Sequence, residues 1–164
     1  MDAEELLRRY AAGERNFSRI SLRRANLQGT NLSSIDLSSA DLYAARLRGI
    51  NLSNANLSGA NLLDIILEEV ELNDANLSTA NLNGATVRNS SLKRANFEGA
   101  NLMEVSMDTV SLEGADLTGV PLDETSFYSC NFRNALVDRD SLSACYLSNT
   151  IMPGGNIITN VIEE

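Results

Sequence analysis

Catalysis needs nucleophiles, proton carriers or metal ligands, and this chain of 164 residues is short of most of them. It contains no histidine, which removes the commonest metal ligand and the commonest general base. Its two cysteines, Cys130 and Cys145, cannot complete a tetrahedral metal set without histidine and are too few for a disulfide framework. Serines are plentiful, but none has a base at a spacing that would activate it. Carboxylates remain, concentrated at Asp64, Glu68, Glu69, Glu71 and Asp74 and again at Glu104, Asp108 and Glu113. Carboxylates at this density bind divalent ions weakly, attract a basic partner, or keep a surface soluble. No catalytic residue, metal site or cofactor is read from the residues, and the chain is expected not to be an enzyme.

The elements that position these groups follow from a period of five. Ala55-Asn-Leu-Ser-Gly, Ala60-Asn-Leu-Leu-Asp, Ala75-Asn-Leu-Ser-Thr and Ala80-Asn-Leu-Asn-Gly are copies of one unit. With the central leucine called position i, steps of five from Phe17 to Ile162 meet only apolar residues, and all four phenylalanines sit at i. Position i−2 is small or β-branched, and both cysteines stand there, so they read as small buried thiols on neighbouring sides. In an extended chain i−2 and i point the same way. The restart after five therefore demands a corner, and seven of the ten glycines mark it at i+2. Positions i−1 and i+1 are mostly polar and read as outward and solvated. The register runs through without an inserted loop.

These units resemble the pentapeptide repeat family, whose A(D/N)LXX motif is matched literally at Ala25–Gly29, Ala40–Ala44, Ala60–Asp64, Ala100–Glu104 and Ala115–Gly119 among others. The resemblance covers about nine-tenths of the chain. It implies an all-β fold, a right-handed quadrilateral parallel β-helix of about 7.5 coils. Four units per coil would stack residues twenty apart, with Phe17, Leu37, Leu57, Leu77, Phe97, Leu117, Val137 and Ile157 in one inner column. A solenoid needs covered ends. Asp2 and Glu5 form a capping-box pair ahead of Leu6, Leu7 and Tyr10, so residues 3–12 are expected as a helix over the first coil. The division is residues 1–14 for that capping helix and 15–164 for one solenoid. The C-terminal stretch offers no amphipathic helix, and an open end there favours an end-to-end homodimer.

The formal charge of −9 argues against direct nucleic acid or membrane-surface binding. No apolar run is long enough to span a bilayer and Met1–Gly13 is not a secretory leader, so a soluble cytoplasmic protein is expected. Bases gather between Arg8 and Arg48, and acids dominate the body. The family resemblance implies two functions. One is a rigid, non-enzymatic protein–protein interaction module of the kind common in cyanobacteria, with an unknown protein partner. The other is an acidic, DNA-mimicking regulator of DNA gyrase, for which the eight carboxylates named above are the candidate surface. For the interaction module the candidate is an outward apolar stripe, Tyr43, Leu63, Ile66 and Met103, with Tyr128 and Tyr146 as a second surface.

Overall fold

The computed structural model describes residues 1–159. It begins with a helix, α1 (Ala3–Ala11), whose first turn is closed by the Asp2 carboxylate accepting from the Glu5 N–H at 2.8 Å. The Glu5 side chain does not reach back to complete a capping box and instead pairs with Arg8 at 2.5 Å. Gly13, at φ +99°, takes the chain away from the helix end. Leu6 is fully buried, and the Tyr10 hydroxyl donates to the Ser33 carbonyl at 2.7 Å, so α1 lies over the first coil as expected.

From Asn16 onward the period of five becomes geometry. Residues at i from Phe17 to Phe132 are all buried, and between Ile35 and Ala135 so is every i−2 residue. Each unit is stitched to the next coil in three places. Leu37 N–H bonds the Asn56 carbonyl at 2.8 Å, Ser39 N–H bonds Ser58 at 2.8 Å, and Asn56 N–H returns to Ile35 at 2.9 Å. Corner residues at i+2 hold a left-handed backbone, among them Arg24, Ser39, Asp64, Glu104 and Glu124 at φ between 54° and 58°. Coil closure imposes this conformation on non-glycine residues too, even though the left-handed region disfavours their Cβ. Glycine therefore marks only some of the corners.

Register settles the coil. Strand and bridge partners are twenty residues apart and parallel, giving four units per turn and four sides, named here by their first inward residue: Phe17, Leu22, Leu27 and Leu32. The Leu27 side forms a seven-stranded parallel sheet of β1 (Asn26–Gln28), β2 (Arg46–Arg48), β3 (Ile66–Glu68), β4 (Thr86–Arg88), β5 (Ser106–Asp108), β7 (Ser126–Tyr128) and β9 (Tyr146–Ser148). On the Phe17 side β6 (Asp116–Leu117) pairs β8 (Leu136–Val137). The other three sides close with a turn bond such as Ala25 N–H to Leu22 carbonyl at 3.0 Å, whereas the sheet side turns its left-handed corner without one.

Regular coiling ends near Val137, so the solenoid has about six coils rather than 7.5. The uninterrupted register is also corrected. A second helix, α2 (Arg139–Ser143), replaces the next unit of the Leu22 side, where Asp140 would stand in an inward i−2 slot. A carboxylate buried there without a partner is costly, so the chain swings it out. Beyond it, Pro153-Gly154-Gly155 reverse the chain and β10 (Thr150–Ile151) pairs β11 (Ile157–Ile158) antiparallel. The inner column is accordingly buried through Leu117, half-buried at Val137 and lost at Ile157, which is 59% exposed. Ile162, the last position of the repeat register, lies outside the described residues.

Candidate interaction surface

The predicted stripe falls on the Leu22 side and the edge next to it. Tyr43, Leu63 and Met103 occupy one outward column, with Arg23 below Tyr43, Asn83 between Leu63 and Met103, and Asp123 beyond. Backbone geometry is uniform along the column. The N–H groups of Tyr43, Leu63, Asn83 and Met103 each donate to the side-chain oxygen two residues back, at Asp41, Asn61, Asn81 and Asn101, over 3.0–3.3 Å. The Asn and Asp residues at i−1 are thus turn-forming ladders rather than merely solvated groups. Asn61 Nδ2 also donates to Asp41 Oδ1 at 3.0 Å, and Asn101 Nδ2 to Asn81 Oδ1 at 3.2 Å.

Within the stripe only Met103 is exposed, at 38%; Tyr43, Leu63 and Ile66 are half-buried. The Arg23 guanidinium covers the Tyr43 ring at 4.5 Å and binds Asp41 at 2.9 Å. Burial opposes the Asp41 charge, but Arg23, the Tyr43 N–H and the Asn61 amide together hold its carboxyl below the ordinary value. Ile66 lies in β3 between Arg46 and Thr86, around the corner from Leu63. The larger apolar exposure is at the far end, where Tyr128, Leu136, Tyr146 and Ile157 are 45–59% exposed. Tyr128 and Tyr146 had a sequence signal as outward aromatics, and Leu136 had the same signal as an apolar residue at an outward i−1 position; Ile157 had none, because the register makes it an inward residue.

The eight candidate carboxylates do not share one surface. Asp64 and Glu104 stand at corners of the Leu22 side, Glu68, Glu69 and Asp108 on the Leu27 side, and Glu71, Asp74 and Glu113 on the Leu32 side. Half of them are ion-paired to residues about one coil away. Arg48 reaches Glu68 at 3.8 Å and Glu69 at 3.4 Å, Lys93 reaches Glu113 at 3.4 Å, and Arg94 grips Asp74 at 2.7 and 2.6 Å. The Arg94 hydrogen bonds hold the Asp74 carboxyl below its ordinary value. These exposed pairs contribute little stability, but they remove uniformity of sign from the surface.

Cys130 and Cys145 are both free thiols, and burial pushes each up to about 12. Thiols that resist ionisation are poor nucleophiles. Sequence reasoning missed the buried hydroxyls. On the sheet side, where no turn bond forms, the Val70 N–H donates to Ser90 Oγ at 3.0 Å and the Cys130 N–H to Thr150 Oγ1 at 3.4 Å. Both hydroxyls in turn donate to carbonyls, Arg88 for Ser90 at 2.7 Å and Phe127 or Ser148 for Thr150 at 3.0 Å. Serine or threonine at an i−2 position was the available signal. Among the described residues no three Cys, Asp or Glu side chains gather to hold a metal ion, and no helix is long and apolar enough to cross a membrane.

Eight copies of the family described as pentapeptide repeats match the chain, over residues 16–54, 35–73, 50–89, 71–108 and 80–119. The chain belongs to the pentapeptide repeat family. No curated protein sequence matches it. Among solved structures it is similar to QnrB1, a plasmid-mediated fluoroquinolone resistance protein, with a TM-score of 0.68 at 19% identity over 85% of this chain and 73% of that one. At that identity the likeness concerns the fold. Two cyanobacterial pentapeptide repeat proteins are also similar. Rfr23 from Cyanothece has 28% identity over 82% of this chain and 99% of that one at a TM-score of 0.47. HetL from Nostoc, involved in heterocyst differentiation regulation, has 26% identity over 96% and 100% at 0.32.

Proposed function

We propose that this pentapeptide repeat protein is a rigid, non-enzymatic interaction module that recognises a protein partner through the Leu22 side of its solenoid. The observation that carries the reading is the outward column of Tyr43, Leu63 and Met103, apolar residues held by a ladder of side-chain-to-backbone bonds among the outward positions of the regular coils. A preorganised side loses little conformational entropy on association. The gyrase-regulator reading draws support from the fold shared with QnrB1. It is less favoured, because a mimic of duplex DNA needs a continuous field of one sign, and Glu68, Glu69, Asp74 and Glu113 are already paired with bases.

The test passes a lysate of the host cell over the wild-type protein and over a Leu63→Glu/Ile66→Glu variant, whose substitutions are confined to half-buried outward positions. A protein retained by the wild type and released by the variant supports the module. Identical retention by both sinks the assignment to this side. Inhibition or protection of gyrase supercoiling by the wild-type protein brings the second reading forward.

A further inference from the structure

The Leu22 side is graded along the solenoid axis. Its first coil exposes Arg23 and Arg24, and its last regular coil exposes Asp123 and Glu124, with Tyr43, Leu63 and Met103 between them. Five coils at ~4.8 Å put about 24 Å between the two charged ends. Among the described residues Arg24, Asp123 and Glu124 take part in no ion pair, and the Arg23 side chain keeps 53% of its surface exposed beside Asp41. A side with opposite charges at its two ends and apolar residues between them is complementary to itself when reversed.

Building on the interaction-module reading, we infer that the partner of this side is a second copy of the same chain, packed side to side and antiparallel. The two-fold axis lies across the side, midway between Leu63 and Asn83, and such an operation sets each column against itself in reverse order. Arg23 then meets the second copy's Asp123, Arg24 meets Glu124, Tyr43 meets Met103 and Leu63 meets Asn83. In the i−1 column Asp41 meets Asn101, and at the corners Ala44 meets Glu104, so no like charges are opposed. Every contact occurs twice, as an isologous interface requires. The Leu27 side also opposes unlike charges when reversed, Arg48 to Asp108 and Glu68 to Arg88, but its outer column carries no apolar residue between those charges to bury against a second copy.

Charge reversal tests the inference on the full chain. Arg23→Glu/Arg24→Glu makes both ends of the side acidic, and Asp123→Arg/Glu124→Arg makes both basic. Neither should unfold the chain. The corner already accepts arginine and glutamate at positive φ, at Arg24, Arg94, Glu104 and Glu124, and circular dichroism checks the fold. Analytical ultracentrifugation of the wild type should show a dimer whose dissociation constant rises with salt. Each reversed variant alone should dissociate at least ~10-fold more readily, and an equimolar mixture of the two should restore a 1:1 heterodimer.

The inference is overturned if the wild type is monomeric throughout, if the reversed variants associate like the wild type, or if the mixture stays monomeric. It is also overturned if Leu136→Glu/Tyr146→Glu abolishes the dimer while the reversals do not, the signature of end-to-end contact. A monomeric wild type that still retains a lysate protein through Leu63 and Ile66 leaves the interaction module standing without self-pairing. Absence of both associations removes both.

Discussion

Two regions of this molecule obey the same sequence register with different results. Between Asn16 and Val137 the chain winds with partners twenty residues apart, and from Ile35 to Ala135 the inward positions are sealed. Between Asp138 and Thr159 the apolar step of five persists at Leu142, Leu147, Met152 and Ile157, yet only β9 and Ile151 still pair with the coil before them, and the rest of the chain forms α2 and an antiparallel hairpin. The difference teaches that an apolar residue at i is insufficient for a coil. The i−2 slot must also accept burial, and Asp140 and Gly155 offer neither an apolar filling nor a partnered hydroxyl. A terminal unit is moreover supported from one side only, so a poor slot is not rescued by the next coil.

The sharpest way to break the comparison is to cut the same kind of side chain in both regions. Phe97→Ala in the body removes a fully buried ring and should cost about 3–5 kcal/mol in urea unfolding. Ile157→Ala occupies an equivalent register position but is exposed, and should fall within about 0.5 kcal/mol of the wild type. Equal losses at the two sites would mean that the last units coil like the rest.

A smaller effect is expected at the buried hydroxyls. Ser90→Ala leaves the Val70 N–H without its acceptor and should cost about 1–3 kcal/mol, while Ser78→Ala, at an outward position, serves as the control. Gly84→Ala tests a corner. The added methyl would stand 2.6 Å from Asp64 Oδ1 at a backbone φ of +67°, so a loss near ~1 kcal/mol is expected. Asp64→Ser should relieve part of it in the double variant.

Acid titration comes next. Asp41 and Asp116 have carboxyls lowered below their ordinary values. At Asp41 burial opposes the charge and Arg23, the Tyr43 N–H and the Asn61 amide together overcome it; at Asp116 the Thr118 N–H is the main cause. Because the folded values are the lower ones, the stability they contribute is complete above the ordinary carboxylate range and is lost as pH falls through them. The urea midpoint should therefore hold flat at neutral pH and fall below pH ~4. Asp41→Asn should blunt that fall, and an unchanged acid profile would remove Asp41 from this role.

Thiol labelling sharpens the contrast between the regions with the least perturbation. Both thiols stay protonated at neutral pH, so alkylation of the folded protein should be slow. Cys145, half-buried behind α2, should react before Cys130 in the body, as local opening of the end precedes opening of the coils. Simultaneous labelling would show that end and body open as one unit.

Much of this architecture was legible in the residues. The unbroken apolar step of five located the inward positions, the glycines located the corner, and Asp2 with Leu6 and Tyr10 located the first helix. These are local properties, because a side chain's direction depends on its own backbone and its immediate neighbours. The tertiary structure decided what local periodicity cannot. A repeat of five does not state how many units close a coil; closing it at twenty set Arg94 on Asp74, Lys93 on Glu113 and Ser90 on the Val70 N–H. It also set Arg23 and Asp123 at opposite ends of one side. Partnership among polar groups is a matter of distance in space, so pairing of the acids and the end of the coil at Asp140 emerged only when the chain was wound.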